Sequence, residues 1–185
     1  MDFTQNAIAV LEFKSITRGL FVVDVATKKA PVRVCWAEAI SSGKYILLFE
    51  GGVGEVQESY SAAVEAAEKE LIESILIPQV VPALGPVLSG RSFSPESESS
   101  VGMLESSSIA ASVEAADQVL KTAPLLLNRF RLGKGIGGKS YFIFSGQLED
   151  VQAGLERGQE FLEHRGALLG RELIARPHSD FMEVL

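Results

Sequence analysis

One stretch of the chain has the residue types and spacing of a nucleotide-binding loop. Residues 133–140 read GKGIGGKS, which satisfies the phosphate-loop pattern G-x-x-x-x-G-K-[ST], and Gly133, Gly135 and Gly138 also satisfy G-x-G-x-x-G. That chemistry needs a helix to begin at the Lys-Ser, because its free N–H groups and its dipole bind the phosphates. Residues 140–145 read SYFIFS, an apolar β-rich run, so we expect a strand there. We therefore expect no nucleotide site, and the glycines indicate a tight or crowded loop instead.

Two lysines of the same stretch allow two interpretations. If several copies of the loop meet at a symmetry axis, Lys134 and Lys139 set the electric field at that axis. If they do not meet, both are solvated surface lysines. The sequence favours neither.

The residues that bind metals or act as nucleophiles are few and scattered. Cys35 is the only thiol, whereas a zinc site or an iron–sulfur cluster needs more ligands than one. His164 and His178 have no cysteine or carboxylate at ligand spacing, and no Ser/His/Asp constellation is present. We predict no metal site and no catalytic residues, a buried structural role for the Cys35 thiol, and a core or subunit contact for Trp36.

Charge and hydropathy exclude other classes of function. The formal net charge is −7, and no basic run is interleaved with aromatic residues, so we expect no nucleic-acid partner. No apolar run approaches the roughly 18 residues of a membrane span, and Asp2, Lys14 and Arg18 disagree with a signal peptide. With a single cysteine and no disulfide within the chain, we expect a cytoplasmic location and no membrane partner.

The chain contains the same pattern twice. Residues 11–31 read LEFKSITRGLFVVDVATKKAP, and residues 104–124, shifted by 93, read LESSSIAASVEAADQVLKTAP. Eight positions are identical, where about one match is expected from composition. The identical pairs are Leu11/Leu104, Glu12/Glu105, Ser15/Ser108, Ile16/Ile109, Asp24/Asp117, Lys28/Lys121, Ala30/Ala123 and Pro31/Pro124. The chain is therefore a tandem duplication, and any function must use both copies.

Each copy predicts the order strand, helix, strand, strand, helix, strand. In the first copy, Ser15 is the expected N-cap of a helix that ends before Pro31, and 41–43 (SSG) connects two strands of a hairpin. A long helix follows Gly52 and reaches to about Leu71. This order predicts the α+β class, with two tandem ferredoxin-like (βαββαβ) domains, each an antiparallel sheet with both helices on one face.

A segment rich in Ser, Pro and Gly separates the copies. We place the first domain at 6–84, a linker that is at least partly mobile at 85–100, and the second domain at 101–185. The second hairpin loop is two residues longer than the first, since Gly43-Lys44 is equivalent to Gly138-Lys139 at a shift of 95.

Several motifs together resemble bacterial microcompartment (BMC) shell proteins of the tandem-domain, trimer-forming class. They are the repeated L-E-x-x-S-I, the helix that ends in K-x-A-P, the hairpin S-G-K, and Ile174-Ala175-Arg176-Pro177-His178. The resemblance covers nearly the whole chain except the linker. It implies a pseudohexameric homotrimer that joins edge to edge with other hexameric and pentameric shell proteins around encapsulated enzymes, in a shell inside the cytoplasm.

The resemblance also implies roles for particular residues. Matching positions place the lining of a central pore at Ser41, Ser42, Gly43, Lys134, Gly135, Ile136, Gly137 and Gly138, and the contacts at the edge of the tile at Lys28, Lys121, Arg176, Pro177 and His178. The first copy has Ile77-Pro78-Gln79 without the edge arginine, so its edge contacts must differ. Some members hold an iron–sulfur cluster through a cysteine in the first loop, where this chain has Ser41, so we expect no cluster and no other cofactor.

The structural role implies a pore for small polar metabolites and no enzymatic activity. A tandem module that senses a small ligand is the alternative, because ferredoxin-like repeats often bind metabolites. It predicts saturable stabilisation by one class of metabolite, and a tight oligomer without a lattice.

Overall fold

The first repeat folds in the order that its sequence predicts. A computed structural model describes residues 6–96 and 98–185. Its first six elements are β1 (Ala7–Phe13), α1 (Ile16–Lys29), β2 (Arg33–Ala39), β3 (Tyr45–Gly51), α2 (Val53–Ala67) and β4 (Leu71–Ile77). They form an antiparallel sheet in the order β2-β3-β1-β4, which is the ferredoxin-like topology.

The second repeat has the same topology. Its elements are β5 (Ser100–Ser106), α4 (Ile109–Thr122), β6 (Leu126–Leu132), β7 (Ser140–Gly146), α5 (Leu148–His164) and β8 (Leu168–Ile174), with sheet order β6-β7-β5-β8. A short helix between the repeats is α3 (Leu84–Leu88), and another near the C-terminus is α6 (Ser179–Glu183). The predicted fold class of two ferredoxin-like repeats is confirmed. None of the helices in the described part of the chain is long and apolar enough to cross a membrane.

The duplication extends to irregularities of the sheets. The β2–β3 register shifts between Val34 and Trp36, and the β6–β7 register shifts between Leu127 and Arg129. The residue that is skipped is Cys35 in the first repeat and Asn128 in the second, which are equivalent at the shift of 93. A β-bulge leaves one residue without a partner on the opposite strand. Both copies therefore bend their edge strand at the same place.

Contacts divide the chain into two compact units. One contains the described residues up to Pro82 together with Gly133–Gly138, and the other contains Ala83–Leu132 and Lys139–Leu185. The core of the first unit lies between its sheet and its helices, because alternate residues of β1 point to the same side. It contains Ala7, Ala9, Leu11 and Phe13 of β1, Tyr45, Leu47 and Phe49 of β3, and Val22, Ala26, Val56, Ala63 and Ala67 of the helices.

Side-chain caps begin the first helix of each repeat. The Ser15 hydroxyl accepts a hydrogen bond from the Arg18 N–H at 3.3 Å, and the Ser108 hydroxyl accepts one from the Ala111 N–H at 3.1 Å. Such a cap satisfies one of the free N–H groups of the first turn. Both helices end two residues before the proline of the repeat, as the sequence predicts.

The predicted end of the second helix was wrong. This helix, α2, ends at Ala67 instead of near Leu71, because Glu68 adopts φ 52° and breaks the helical hydrogen bonding. A short 3₁₀ turn, Glu68–Glu70, then leads into β4. Sequence periodicity alone did not reveal this break, since Glu and Lys are good helix formers.

The first part of the predicted linker is structured. Helix α3 begins at Leu84, and its Val87 and Leu88 side chains are buried, because apolar residues at this spacing can cover β6. Farther along, Phe93 N–H donates to the Asn128 carbonyl at 2.8 Å, and Asn128 Nδ2 donates to the Phe93 carbonyl at 3.0 Å. Helix α3 and Phe93, at the start of the predicted linker of 85–100, are therefore held on edge strand β6, while the mobility of the linker stays a prediction.

Close packing of α5 generates a testable prediction. A Cβ at Gly158 would lie 2.4 Å from Leu104 Cδ1 and 2.9 Å from Val119 Cγ2, and both neighbours are fully buried. We expect Gly158→Ala to lower the free energy of unfolding by about 1–3 kcal/mol, because overpacking exceeds the gain in helix propensity. Urea denaturation at a fixed protein concentration measures the change.

The matched control is Gly54→Ala in α2, where no atom lies within 4 Å of the added Cβ. It should leave stability unchanged or raise it by up to about 1 kcal/mol. Equal effects of the two substitutions would contradict the packing of α5 against β5.

Candidate functional site

The first candidate pore loop is a tight turn at the tip of the β2–β3 hairpin. Ser41–Gly43 form a 3₁₀ turn, which the Ile40 N–H closes by donating to the Lys44 carbonyl at 2.9 Å. Ser42 and Gly43 have φ of 66° and 73°, a conformation that costs a residue with a side chain more than it costs glycine. Ser41 is half-buried and Ser42 is exposed, so the loop presents hydroxyl groups.

The second candidate loop is the longer turn between β6 and β7. Its glycines, among them Gly135 and Gly137, adopt positive φ, and Gly138 N–H donates to the Gly133 carbonyl at 3.3 Å. Strand β7 begins at Ser140, and no helix begins where the phosphate-loop pattern requires one. The interpretation of the glycines as residues of a crowded loop is therefore supported.

The two equivalent loops lie together. Residues 133–138 belong by their contacts to the same compact unit as the first hairpin. Ser41 Oγ accepts a hydrogen bond from the Gly135 N–H at 2.8 Å, and Ser42 Oγ donates to the Gly137 carbonyl at 3.0 Å. A Cβ at Gly138 would lie 3.1 Å from the Ser41 carbonyl oxygen, which is close for a side chain. The structure thus joins residues of both predicted pore-lining segments in one cluster.

An acidic residue that the sequence analysis missed completes this cluster. Lys134 Nζ lies 2.8 Å from Glu38 Oε2, and Glu38 also accepts a hydrogen bond from the Trp36 indole N–H. Partial burial by itself raises the pKa of Glu38, but the hydrogen bonds from Lys134 and Trp36 outweigh it and hold this pKa below its usual value. Glu38 is therefore ionised near neutral pH and balances Lys134. The register shift that turns Trp36 and Glu38 toward one face is the signal that could have indicated this pair.

A lysine directly after each loop binds a glutamate of the neighbouring strand. Lys44 Nζ lies 2.8 Å from Glu12 Oε1, and Lys139 Nζ lies 3.0 Å from Glu105 Oε1. These pairs are equivalent in the two repeats, yet their surroundings differ. Glu12 is fully buried, whereas the Glu105 side chain is 41% exposed. Lys139 is thus exposed and ion-paired in the single chain, which is compatible with both interpretations of its role.

The Cys35 thiol is only partly buried, so the prediction of a buried structural thiol was wrong. Cys35 is the bulged residue of edge strand β2, and its Sγ donates to the Arg33 carbonyl at 3.6 Å. Desolvation, with a smaller contribution from the Glu50 carboxylate, raises its pKa to about 11. Within residues 6–96 and 98–185, no group of three or more His, Cys, Asp or Glu could hold a metal ion. Trp36 is half-buried and lies outside the core of its unit.

The two predicted edge lysines occupy equivalent positions at the ends of α1 and α4. Lys28 Nζ lies 2.7 Å from Asp24 Oδ2, and Lys121 Nζ lies 2.5 Å from Asp117 Oδ2. Asp24 is exposed, whereas Asp117 is buried. The carboxylate of the second pair is therefore better shielded from water, which strengthens its attraction to Lys121.

The predicted edge motif follows the last strand of the second repeat. Arg176 is exposed and, with Pro177, lines a cleft of about 710 Å³ beside Gln147 and Met182. His178 is the N-cap residue of α6, where its Nδ1 accepts a hydrogen bond from the Asp180 N–H at 3.3 Å. Helix α6 was not predicted, because five residues are too few for a periodic pattern.

The fold and its duplication have counterparts among known proteins. The family model described as "BMC domain" matches residues 7–80 and again 100–177. This chain belongs to the BMC-domain family of bacterial microcompartment shell proteins. The family confirms the resemblance inferred from the repeated motifs and supports a structural role in a shell.

Two curated shell proteins match most of this chain. The chain is 33% identical over 173 residues to the bacterial microcompartment shell protein PduT of Citrobacter freundii, covering 94% of each chain. It is 26% identical over 196 residues to the carboxysome assembly protein CcmO of a Synechocystis strain, covering 98% of this chain and 65% of CcmO.

Solved structures agree with the family. A microcompartment protein from Desulfitobacterium hafniense has a TM-score of 0.84 at 30% identity, covering 97% of this chain and 99% of that one. A fused permuted hexameric shell protein from the RMM microcompartment has a TM-score of 0.63 at 22% identity, covering 84% and 81%, which shows the fold alone.

The environment of Cys35 generates a prediction about its reactivity. Because the thiolate is the nucleophile and the pKa is raised to about 11, alkylation by iodoacetamide should be slow at pH 8 and should rise about tenfold per pH unit toward pH 11. Mass spectrometry of the intact protein measures the rate. The chain unfolded in urea is the control, with an ordinary thiol pKa near 8.5 and a rate on the order of 10²-fold higher at pH 8. A plateau in the rate of the folded protein below pH 9.5 would contradict the desolvated environment.

Proposed function

We propose that three copies of the chain form a pseudohexagonal tile of a microcompartment shell, with a central pore lined by the two loop segments. The cluster of loops carries this proposal. Ser41 and Ser42 bond to Gly135 and Gly137, so the equivalent hairpin tips of the two repeats are neighbours. A closed ring of alternating repeats needs this arrangement at its centre, because every repeat then presents the same hairpin to the axis. Three chains supply six hairpins.

The chemistry of these loops suits the passage of small polar molecules. The proposed lining contains the hydroxyls of Ser41 and Ser42 and the backbone of the glycine-rich loop, which offer hydrogen bonds that replace those of water. Lys134 is paired with Glu38, so the charges near the loops have both signs. That balance favours neutral polar solutes over ions of one sign. Because one loop is two residues longer than the other, the opening has threefold rather than sixfold symmetry.

The proposed tile has no catalytic role and no iron–sulfur cluster. Ser41 stands where a cluster-binding relative would carry cysteine, and a serine hydroxyl is a poor ligand for iron–sulfur clusters, which are held by thiolates. Cys35 lies at a bulge of β2, six residues before the loop, and its raised pKa disfavours the thiolate that a cluster needs.

Contacts between tiles are assigned to the ends of the first helices and to the C-terminal motif. Lys28 and Lys121 are exposed at equivalent positions, as a contact repeated around the tile requires. Arg176, Pro177 and His178 form a second contact in the second repeat alone. The partners proposed for these edges are further copies and other hexameric and pentameric shell proteins, in a shell within the cytoplasm.

Electron microscopy of the purified protein tests the tile and its pore. We expect a mass of three chains in solution, and on concentration a hexagonal sheet with a stain-filled hole at each threefold centre. A monomer or dimer in solution, or residues 41–43 located at the rim of the particle, would overturn the proposal. A discrete oligomer without a lattice that one class of metabolite stabilises would favour the ligand-sensing alternative.

Replacement of the edge lysines tests the contacts between tiles. We expect Lys28→Ala/Lys121→Ala to abolish the sheets, since the contact is lost at all six edges, and to leave the mass of three chains unchanged. Because Lys121 neutralises buried Asp117, the melting temperature of the variant must be measured alongside. Lys69→Ala removes a positive charge from an exposed position outside the K-x-A-P motif and should still form sheets. Normal sheets from the first variant would contradict the assignment of the edge.

A further inference from the structure

The eight residues proposed to line the opening include a single charged side chain, that of Lys134. The other seven are serines, glycines and one isoleucine. The Lys134 side chain is 63% exposed, so its charge acts on the surrounding solvent. The field of an exposed charge extends over about 8 Å at physiological ionic strength, so three copies of Lys134 around one axis would act on the same water. A group that neutralises Lys134 therefore affects which ions enter the proposed opening.

The group that neutralises Lys134 is the carboxylate of Glu38, near the end of β2. Glu38 Oε2 lies 2.8 Å from Lys134 Nζ, and Glu38 Oε1 accepts a hydrogen bond from the indole N–H of Trp36. Each carboxylate oxygen thus has a partner of its own. The bond from half-buried Trp36 orients the carboxylate, and the lysine binds the oxygen that this bond leaves available.

The bulge at Cys35 determines the face of β2 that carries this carboxylate. Trp36 and Glu38 are two residues apart on the strand, so their side chains point to the same side. Glu38 is opposite Ile46 of β3, and this register begins only after the shift at Cys35. A strand without the bulge would carry Trp36 and Glu38 on its other face. The irregularity of β2 therefore brings the carboxylate to the longer loop.

Backbone contacts restrict the position of Lys134. The next residue, Gly135, donates its N–H to Ser41 Oγ at 2.8 Å, and the preceding residue, Gly133, accepts a backbone hydrogen bond across the loop at 3.3 Å. The backbone is thus held on both sides of the lysine. An ion pair with both side chains partly exposed contributes little to stability. Its main physical effect is on the electric field at the loop.

The ion pair has no equivalent in the other repeat. The position equivalent to Glu38 is Arg131, which is exposed, so the second repeat supplies no carboxylate there. The first loop is two residues shorter and contains no lysine. Three chains would therefore contribute three such pairs to a tile, and loss of the carboxylate would leave three lysines without their counter-charge.

We propose that Glu38 is a specificity-determining residue of the opening, whose carboxylate neutralises Lys134 and thereby lowers the preference of the pore for anions. The inference rests on the pore of the proposed function and names the residue that adjusts its charge. With the pair intact, the lining favours uncharged polar molecules. A bare Lys134 would instead concentrate anions such as carboxylates and phosphates, because a confined charge of one sign raises the local concentration of the other.

The ion pair can be tested in the folded chain whether or not a tile forms. Trp36 is the only tryptophan, and its indole N–H bonds the carboxylate, so its fluorescence should change when Glu38 is protonated. Partial burial raises the pKa of Glu38, but the hydrogen bonds from Lys134 and Trp36 hold it below its usual value. Lys134→Gln removes the charged partner, so the midpoint of an acid titration of this fluorescence should move to higher pH.

Two controls isolate the effect of Lys134. Lys69→Gln removes a lysine that precedes β4, on the opposite edge of the sheet from β2, and should leave the midpoint unchanged. Tyr45 also lies near Glu38, but it does not ionise in the acid range, since burial and the Glu38 carboxylate both raise its pKa. Circular dichroism at each pH separates protonation from acid unfolding.

Ion selectivity of the assembled protein tests the role of Glu38. With the purified protein in a planar lipid bilayer, the reversal potential across a KCl gradient gives the ratio of chloride to potassium permeability. Glu38→Gln should raise this ratio about two- to tenfold, because three bare lysines attract chloride. Lys134→Gln should lower it, since the carboxylate then stands alone, and Glu38→Gln/Lys134→Gln should return it toward the wild-type value.

The matched control for the bilayer measurement is Glu55→Gln. It removes one exposed carboxylate from the first turn of α2, which follows the end of β3 away from the hairpin, and should leave the ratio unchanged. Native mass spectrometry shows whether each variant keeps the mass of three chains.

The outcomes distinguish failure of this inference from failure of the proposed function. A fluorescence midpoint that Lys134→Gln does not move would overturn the ion pair and leave the tile standing. A conducting wild type whose permeability ratio is unchanged in Glu38→Gln would overturn the role of Glu38 and leave the pore standing. Wild-type trimers that do not conduct would overturn the pore and this inference together.

Discussion

The two repeats share one fold, but equivalent residues are buried to different extents in them. This difference in burial is the constraint on which the other properties of the chain depend. Equivalent carboxylates show it most directly. Glu12 is buried with Lys44, while Glu105 remains partly exposed with Lys139. A buried ion pair is costly to form, and it becomes strongly destabilising when one partner is lost, by about 3–5 kcal/mol. The first repeat must therefore keep its lysine directly after the hairpin loop, which ties the candidate pore to the stability of the sheet.

The same inequality explains why duplication is useful to a shell protein. A ring made from six identical domains must present six identical loops and edges, because every position has the same sequence. Fusion of two repeats permits Ser41–Gly43 and Gly133–Gly138 to differ in length and composition, and it confines the Arg176 motif to one repeat. The first helices of the two repeats also differ in sequence at equivalent positions. Leu20 and Thr17 are exposed on α1, whereas their equivalents on α4, Val113 and Ala110, are smaller and buried.

Local sequence patterns were sufficient to predict most helices and strands, because the residues that mark an element lie within it or next to its ends. The cap residues Ser15 and Ser108 and the prolines Pro31 and Pro124 set both ends of the first helices, and alternation of apolar residues marked the strands. The duplication supported these predictions independently, since each helix or strand predicted in one repeat should recur at the equivalent place in the other. Helix α3 and the break at Glu68 were missed because they depend on tertiary packing and on a positive φ, which residue preferences do not specify.

The candidate site was only partly accessible from sequence. The loops could be located because glycine clusters and the shift between repeats changed there from 93 to 95. The partners of these loops could not be predicted, because Glu38 pairs with Lys134 across about a hundred residues of sequence. In addition, the bulge at Cys35 determines which side of β2 carries Trp36 and Glu38. The same bulge exposes the thiol that the sequence analysis placed in the interior. A one-residue shift reverses the faces of a strand, so burial on an edge strand is the property least determined by local pattern.

The longer second loop packs against the first hairpin at Gly138. Gly138 lies against the first hairpin, where the Lys44 Cδ and Cε atoms are 3.6 Å from the position of a Cβ and the Ser41 carbonyl is 3.1 Å away. A Cβ there would press on the Ser41 carbonyl, and the φ of 76° disfavours any residue that has a side chain. Glycine at this position lets the longer loop close over the stem of Lys44 while Gly135 and Gly137 bond the serines. The loop that makes the proposed opening threefold is thus fixed to the first hairpin by contacts that glycine at position 138 permits, so the shape of the opening depends on the backbone of this one residue.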